Sequence, residues 1–407
     1  MVDIMNNYDL IIIGGGPAGL TTAIYGGRAR LKTLVINKGT LGGQVNTTRE
    51  IVNYPGLIQM SGPELMKMFK THAETFGVQF IKDEVKDVDF SQEEKIIRTK
   101  KGKEFSGKAV VTACGCEPRL LNIPGEKRLR GNGVAYCATC DAEFFAGEDV
   151  VVVGSGDQAI EEGMYITKFA RKVTVIVLHD EGIMDCNKVS AEKAFQNDKM
   201  EFIWNSTIEE VLGKDNVKGV KIKNLKTGQS SELICQGVFF FVGMVPSTHF
   251  LQESGVEMDK RGYIPVNDLM ETNLAGVYAV GDNRAKYLRQ VVTAAGDGAV
   301  AAVAAERYIE ELNSFNIHVL KSDKKVLLLF FDALDNKSLE FSALLEEINR
   351  ELDERYKVVK VDIATRKNQA EKYKIENVPA VLVLDQGQEI KRLKCSLNNE
   401  YLKSQLI

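Results

Sequence analysis

Two stretches decide the fold: Asp9-Leu-Ile-Ile-Ile-Gly-Gly-Gly-Pro-Ala-Gly19 and Asp149-Val-Val-Val-Val-Gly-Ser-Gly-Asp-Gln-Ala159. They superimpose without a gap, and the match continues through Tyr25 and Tyr165, Lys32 and Lys172, then Val35-Ile36 and Val175-Ile176. Each copy reads as a continuous apolar strand, a glycine turn, a helix and a second apolar strand. Strands that are apolar throughout, rather than alternating, suit a parallel sheet covered on both faces. The sequence therefore carries two βαβ units of the dinucleotide-binding kind, one per domain. In the first, Gly14 allows the tight turn, Gly16 lets the main chain approach a pyrophosphate, and Gly19 permits close packing of helix on strand. The helix N-terminus then faces the phosphates. The acidic residue expected to hold a ribose at the end of the second strand is absent; Asn37 stands there, and its amide can still bond a hydroxyl.

The chain has 407 residues, enough for two or three domains. Its 44% hydrophobic and 27% charged residues are ordinary for a globular protein and exclude long disorder. A formal net charge of −4 and a pI near 5.8 argue against a nucleic-acid partner or an electrostatic hold on a membrane. No apolar run is long enough to span a bilayer. The start, MVDIMNNYD, lacks the basic-then-apolar layout of a secretion signal, so a cytoplasmic address is expected.

After about residue 313 a different unit begins. KKVLLLFFDA starts an apolar strand, followed by helix-like KSLEFSALLEEINREL, the strand YKVVKVDI, a short helix through EKYKI, the strand VPAVLVLD, a strand around EIKRLKC and a final helix. That order is a small α/β domain. The expected fold class is thus α/β: two Rossmann-like domains and a small C-terminal α/β domain.

Seven cysteines, an odd number, do not make a disulfide framework. Cys137-Ala-Thr-Cys140 just precedes the second glycine unit and is followed by Asp141. Zinc would need two further ligands at suitable spacing; Cys114 and Cys116 are the only other cluster and the four histidines are scattered, so no metal site is expected. A redox dithiol is the better reading: one thiolate attacks a disulfide, the other resolves the mixed disulfide, and Asp141 is placed to protonate the leaving thiolate.

On these residues the chain resembles the low-molecular-weight thioredoxin reductases over positions 1 to about 312. The resemblance is carried by GGGPAG (14–19), GGQ (42–44), NYPG (53–56), CATCD (137–141), GDN (281–283) and RQVVTAAGDGAVAA (289–302), in that order. It implies FAD, with Gly14, Gly16, Ala18 and Gly19 at the pyrophosphate, Gly281 and Asp282 on the ribityl side, and Asn37, Gly43, Gln44, Asn53, Arg289, Gln290 and Ala299 lining the cofactor. It implies that Cys137 and Cys140 exchange electrons with the flavin and then with thioredoxin, and that the enzyme is a homodimer. It implies a discontinuous FAD-binding domain of residues 1–116 and 245–316, interrupted by an inserted NAD(P)-type domain of residues 117–244. One dithiol must serve both a flavin and a macromolecular disulfide, so a domain rotation is required, with hinges expected at 114–118 and 243–247 around Gly115, Pro118, Gly243 and Pro246.

The second turn, Gly154-Ser-Gly156 with Ala159, keeps the geometry of a dinucleotide site. The family's His-Arg-Arg element, whose arginines hold a 2′-phosphate, falls here on Val177, Leu178 and His179, and a third arginine position on Ile183, beside Asp180, Glu181 and Asp185. A phosphate dianion without guanidinium partners loses its strong charge-assisted bonds. The expected donor is therefore NADH or reduced ferredoxin rather than NADPH. The disulfide of a peroxiredoxin-like or related protein is an alternative substrate, and a non-catalytic flavin sensor an alternative role. Residues 317–407 resemble a thioredoxin fold, with Val378-Pro379 where that fold carries its cis-proline. Asp332-Ala-Leu-Asp-Asn-Lys337 occupies the place of the redox dithiol, and Cys395 stands alone, so this domain cannot run a dithiol cycle.

Overall fold

A computed structural model of the chain describes residues 7–48, 50–364 and 367–407. The chain forms two compact units, Met1–Ala305 and Glu306–Ile407, the division falling inside the helix Val291–Phe315.

The first unit holds one mixed and one parallel sheet, each seeded by one copy of the repeat. In the larger, Asn7–Ile13 lies between Thr33–Asn37 and Glu104–Thr112, parallel to both, and Gln79–Lys82 extends the sheet beyond Thr33–Asn37. Val277–Ala279 adds to Glu104–Thr112 in parallel, while Lys95–Thr99 and Val85–Asp89 complete an antiparallel edge. Leu10, Ile11 and Ile12 are fully buried because both faces of their strand are covered, as uninterrupted apolar strands require. In the other sheet, all parallel, the order is Met200–Ile203, Lys172–Ile176, Asp149–Val153, Gly237–Phe240 and Val134–Ala135. The repeat extends to the register: Leu10 faces Thr33, and its counterpart Val150 faces Val173. An antiparallel meander of Ser206–Leu212, Gly219–Asn224 and Ser230–Ile234 packs its Ile208, Val220 and Ile222 into the same core as Val151 and Val238.

Between the two sheets the chain crosses twice, at Cys116–Pro118 and Met244–Pro246. The crossings pair antiparallel, Cys116 opposite Pro246 and Pro118 opposite Met244. A short two-stranded ribbon therefore carries both connections.

The second unit has the element order read from its sequence. Its sheet runs Lys357–Asp362, Val326–Phe331, Ala380–Asp385 and Gln388–Leu393, the first pair parallel and the others antiparallel. Helix Asn336–Glu351 is capped by Asp335, whose carboxylate accepts from the Ser338 N–H, and helix Asn399–Leu406 by Asn398, which accepts from Tyr401. The short helix, Lys367–Lys372, begins before the EKYKI stretch and ends inside it, because Lys374 takes a left-handed conformation (φ 51°) that helices do not continue through. The Val378–Pro379 bond is cis. Among the described residues no helix is long and apolar enough to cross a membrane.

Phe330 is fully buried in this sheet. Phe330→Ala is expected to cost about 3–5 kcal/mol, read as a lower denaturant midpoint for unfolding of the C-terminal unit.

Candidate functional site

The first glycine turn is shaped by main-chain crowding. Gly14 has φ 110°, and a Cβ there would lie 2.2 Å from the Ala113 carbonyl oxygen; a Cβ on Gly19 would lie 2.0 Å from the Gly14 oxygen. Strand, turn and helix meet closer than any side chain permits. Gly16 differs. A Cβ on it would meet nothing within 4 Å, yet Gly43, brought in by the Gly42–Gly43 turn, lies beside it, its own Cβ position 3.6 Å from the Gly16 Cα. Two glycine backbones thus border open space where helix Pro17–Arg28 begins. Asn37 serves the turn itself: its Oδ1 accepts from the Gly15 N–H at 2.9 Å and its Nδ2 donates to the Gly39 oxygen at 3.0 Å.

The start of helix Val291–Phe315 lies against the same turn. A Cβ on Gly298 would sit 2.3 Å from the Ala18 oxygen, and Thr22 donates to the Gly298 oxygen at 3.2 Å. Ala299 follows, half-buried. Asp297 ties the preceding loop down: its carboxylate accepts from Arg284 at 2.7 and 2.8 Å, Lys286 at 2.8 Å and the Gly281 N–H at 2.9 Å. Burial would raise this carboxyl, but these donors outweigh burial and hold it below the ordinary range. Sequence reading did not single out Asp297, although it lies inside the RQVVTAAGDGAVAA stretch; its two cationic partners are 11 and 13 residues away.

This loop presents unsatisfied polar atoms. Asp282 Oδ1, Asn283 Oδ1 and Arg289 Nε are buried without a hydrogen-bond partner. Burial pushes the Asp282 carboxyl up, opposed by Lys286 and Arg289. Buried polar atoms are almost always paired, so unpaired acceptors and an unpaired donor in one loop make it a candidate ligand site. The residues fit FAD: glycine backbones for its pyrophosphate, Asp282 and Arg289 for its hydroxyl and polar groups. Cys114 and Cys116 line the same region as neutral thiols, both pushed up to about 12 by burial, with Asn283 Nδ2 donating to Cys114 Sγ at 3.3 Å.

The dithiol faces this half of the unit. Cys137 and Cys140 form a disulfide, Cα to Cα 5.4 Å, across the short helix Ala138–Asp141. Gln290 Nε2 donates to Thr139 Oγ1 at 2.8 Å and lies 3.9 Å from Cys137 Sγ, while Gln290 Oε1 accepts from Asn53 Nδ2 at 3.2 Å. Gln44 Oε1 accepts from Arg130 at 2.6 Å, and the Arg130 guanidinium lies 5.0 Å over the ring of Tyr136, next to Cys137. The structure thus brings Gln44, Asn53 and Gln290 to the dithiol loop. Asp141 directly follows Cys140 and is half-exposed. Sequence reading missed Glu162 as a partner of this loop: its carboxylate accepts from the Ala138 N–H at 2.7 Å.

The second turn repeats the first. Gly154 has φ 123°, with a Cβ position 2.6 Å from the Phe241 oxygen; Gly156 has open space, and Ala159 is fully buried. The loop after the second strand folds onto this turn. Asp185 accepts from Ser155 Oγ at 2.8 Å and meets His179 Nε2 at 3.0 Å; Asp157 accepts from the Asn187 N–H at 2.7 Å and from Asn187 Nδ2 at 2.8 Å. The Ser155 hydroxyl first, then His179, hold the Asp185 carboxyl below its ordinary range. Asp180 is ion-paired with Lys226. No arginine occurs between Arg171 and Arg261.

Two glycine turns and a disulfide at the end of a sheet define a nucleotide-dependent disulfide oxidoreductase, and residues 8–298 match the pyridine nucleotide-disulphide oxidoreductase family. The chain belongs to that family, and within it to the flavin-dependent low-molecular-weight thioredoxin reductases, with a thioredoxin-type domain matched over residues 307–407. It is 48% identical over 314 residues to the thioredoxin reductase of Peptoclostridium litorale, covering 75% of this chain and 98% of that one. Identity to the Bacillus subtilis thioredoxin reductase is 43% over 306 residues, covering 75% and 96%. The crystal structure of Streptococcus pyogenes thioredoxin reductase superimposes with a TM-score of 0.71 at 41% identity, over 75% of this chain and 99% of that one. The Giardia duodenalis enzyme gives 0.70 at 36%, over 75% and 100%.

The contrast between glycines yields a test. Gly16→Ala should leave the apo-protein's thermal stability unchanged yet lower flavin content, because its methyl would enter space no protein atom uses. Gly19→Ala should lose both. Absorbance ratio and thermal unfolding of the two variants check this; full flavin loading of Gly16→Ala would place the pyrophosphate elsewhere.

Proposed function

We propose that the chain is a thioredoxin-disulfide reductase in which Cys137–Cys140 carries electrons to the disulfide of a thioredoxin, with reduced ferredoxin or NADH rather than NADPH as donor. The observation that carries the reading is the disulfide itself, held by Gln290 against the half of the unit that contains Asp282, Arg289 and the first glycine turn. Gly14, Gly16, Gly19, Asp282 and Arg289 would hold FAD at that turn, and once reduced by the donor the flavin would supply the two electrons that open the disulfide. Gln290 orients the dithiol loop through Thr139, Asn53 fixes Gln290, and Asp141 protonates the thiolate that leaves. One of the two cysteines then attacks the partner's disulfide and the other resolves the mixed disulfide.

The dithiol that meets Gln290 has to reach solvent before it can meet a protein. We assign that motion to rotation of residues 117–244 against residues 1–116 and 245–316, about the paired crossings Cys116–Pro118 and Met244–Pro246. A two-stranded ribbon with few backbone bonds suits such a hinge. Residues 317–407 take no electrons in this scheme, since Asp332 to Lys337 contains no cysteine. A homodimer working in the cytoplasm completes the reading, on the resemblance to the family.

The donor assignment is supported by the loop over the second turn. Asp185 already occupies the Ser155 hydroxyl, Asp157 binds Asn187, and no arginine occurs between Arg171 and Arg261 to hold a 2′-phosphate. The carboxylate latch favours ferredoxin over NADH, because a nucleotide entering the turn would have to displace it.

Anaerobic addition of NADPH, NADH or reduced ferredoxin to the purified yellow protein, followed by flavin absorbance, tests the assignment. NADPH should leave the absorbance unchanged at concentrations where ferredoxin or NADH bleaches it; bleaching by NADPH would overturn the donor reading. Cys137→Ser and Cys140→Ser should each keep full flavin content and abolish thioredoxin reduction. Thioredoxin turnover by either variant would remove the dithiol from the path.

A further inference from the structure

Glu162 lies on helix Asp157–Ile166, the helix that opens at the second glycine turn, and is largely withdrawn from solvent. The Glu162 carboxylate takes the main-chain N–H of Ala138 at 2.7 Å and lies near that of Thr139, the two peptide groups that immediately follow Cys137. Burial pushes this carboxyl up and the neighbouring Glu161 adds to the effect, while the two N–H bonds oppose them.

We propose that Glu162 is a positioning residue that keeps the Cys137–Cys140 couple reducing, by engaging the N–H groups nearest Cys137 and placing a carboxylate beside them. This role for Glu162 rests on the reading that the dithiol carries the electrons. Peptide N–H groups and positive potential next to a cysteine stabilise its thiolate, and a dithiol whose reduced form is stabilised is a poor reductant. Here those donors are already bound to an acceptor, and the acceptor brings negative charge. The reduced state gains nothing from its surroundings, so the pair passes electrons on readily. Gln290 holds the opposite side of the same loop through Thr139 Oγ1, so the loop is gripped from the helix by Glu162 and from the other half of the unit by Gln290.

Glu162→Gln keeps the size and an acceptor oxygen and removes the charge. The full-chain flavoprotein, equilibrated without oxygen at one pH in mixtures of reduced and oxidised dithiothreitol, gives the equilibrium directly. At a pH where Cys137 is a thiolate, each disulfide opened takes two electrons and one proton to become a thiolate and a thiol, while one dithiothreitol closes to its cyclic disulfide and its second proton goes to the buffer. Alkylation and mass analysis of the peptide bearing both cysteines counts the reduced fraction. Opening of the parent disulfide in this buffer checks the underlying reading, and failure to open would remove both. In Glu162→Gln the constant is expected to move toward the dithiol by about tenfold, or about 30 mV for a two-electron couple. Glu161→Gln changes the net charge equally on an exposed neighbour and should stay within about twofold of the parent. If Glu162→Gln does not move the constant, or Glu161→Gln moves it as far, the inference fails. Should Glu162→Gln not fold, Glu162→Asp draws the oxygens back by one methylene and is expected to shift the constant in the same direction by a smaller amount; no shift there also overturns it.

Discussion

The close approach of main chain to main chain at the first glycine turn underlies everything else in the N-terminal unit. Gly14 against Ala113, Gly19 against Gly14 and Gly298 against Ala18 bring three distant segments within distances that exclude a Cβ. Strand Asn7–Ile13, helix Pro17–Arg28 and the start of helix Val291–Phe315 are locked together by that contact. The contact brings the loop bearing Asp282 and Arg289 to the turn, and Gln290, one residue further on, to the dithiol. The candidate cofactor loop and the disulfide contacts therefore meet at a single backbone junction.

The second copy of the repeat keeps the junction and changes its surroundings. Gly154 retains the positive φ and the approach to Phe241, as Gly14 does with Ala113. What differs is charge. Where phosphate recognition would need guanidinium groups, the loop after Ile176 supplies Asp180 and Asp185 and closes on Ser155 and Asp157. A βαβ unit buries its strands and helix against one another whether or not a ligand is present, so the turn's geometry can persist after its ligand chemistry has changed. The unit carries the dithiol and presents helix Asp157–Ile166, whose Glu162 accepts from the Ala138 N–H.

The C-terminal unit shows the same separation of fold from chemistry. Its four-stranded sheet and cis Val378–Pro379 bond lie within the thioredoxin-type domain matched over residues 307–407, while Asp332 to Lys337 stands at the redox position without a cysteine. Packing of Leu327, Phe341 and Val383 holds the sheet to its helices without help from a disulfide.

Much of this was legible in the residues themselves. Unbroken apolar strands, glycine spacing and an aligned second copy define two parallel βαβ units, because burial on both faces and a turn without Cβ leave their mark residue by residue. Cys137 and Cys140, three apart, likewise announce their chemistry locally. The pairing of the two crossing segments, the spending of the Asn37 amide on the turn, the clamp of Asp297 on Arg284 and Lys286, and the reach of Glu162 to Ala138 were decided only in three dimensions. Each joins groups that sequence order holds 11 to more than 100 residues apart or turns a side chain toward its own loop, and each depends on which neighbour lies within about 3 Å. Periodicity records which residues are buried; it carries no information on which partner a buried polar atom finds, and that choice belongs to the tertiary structure.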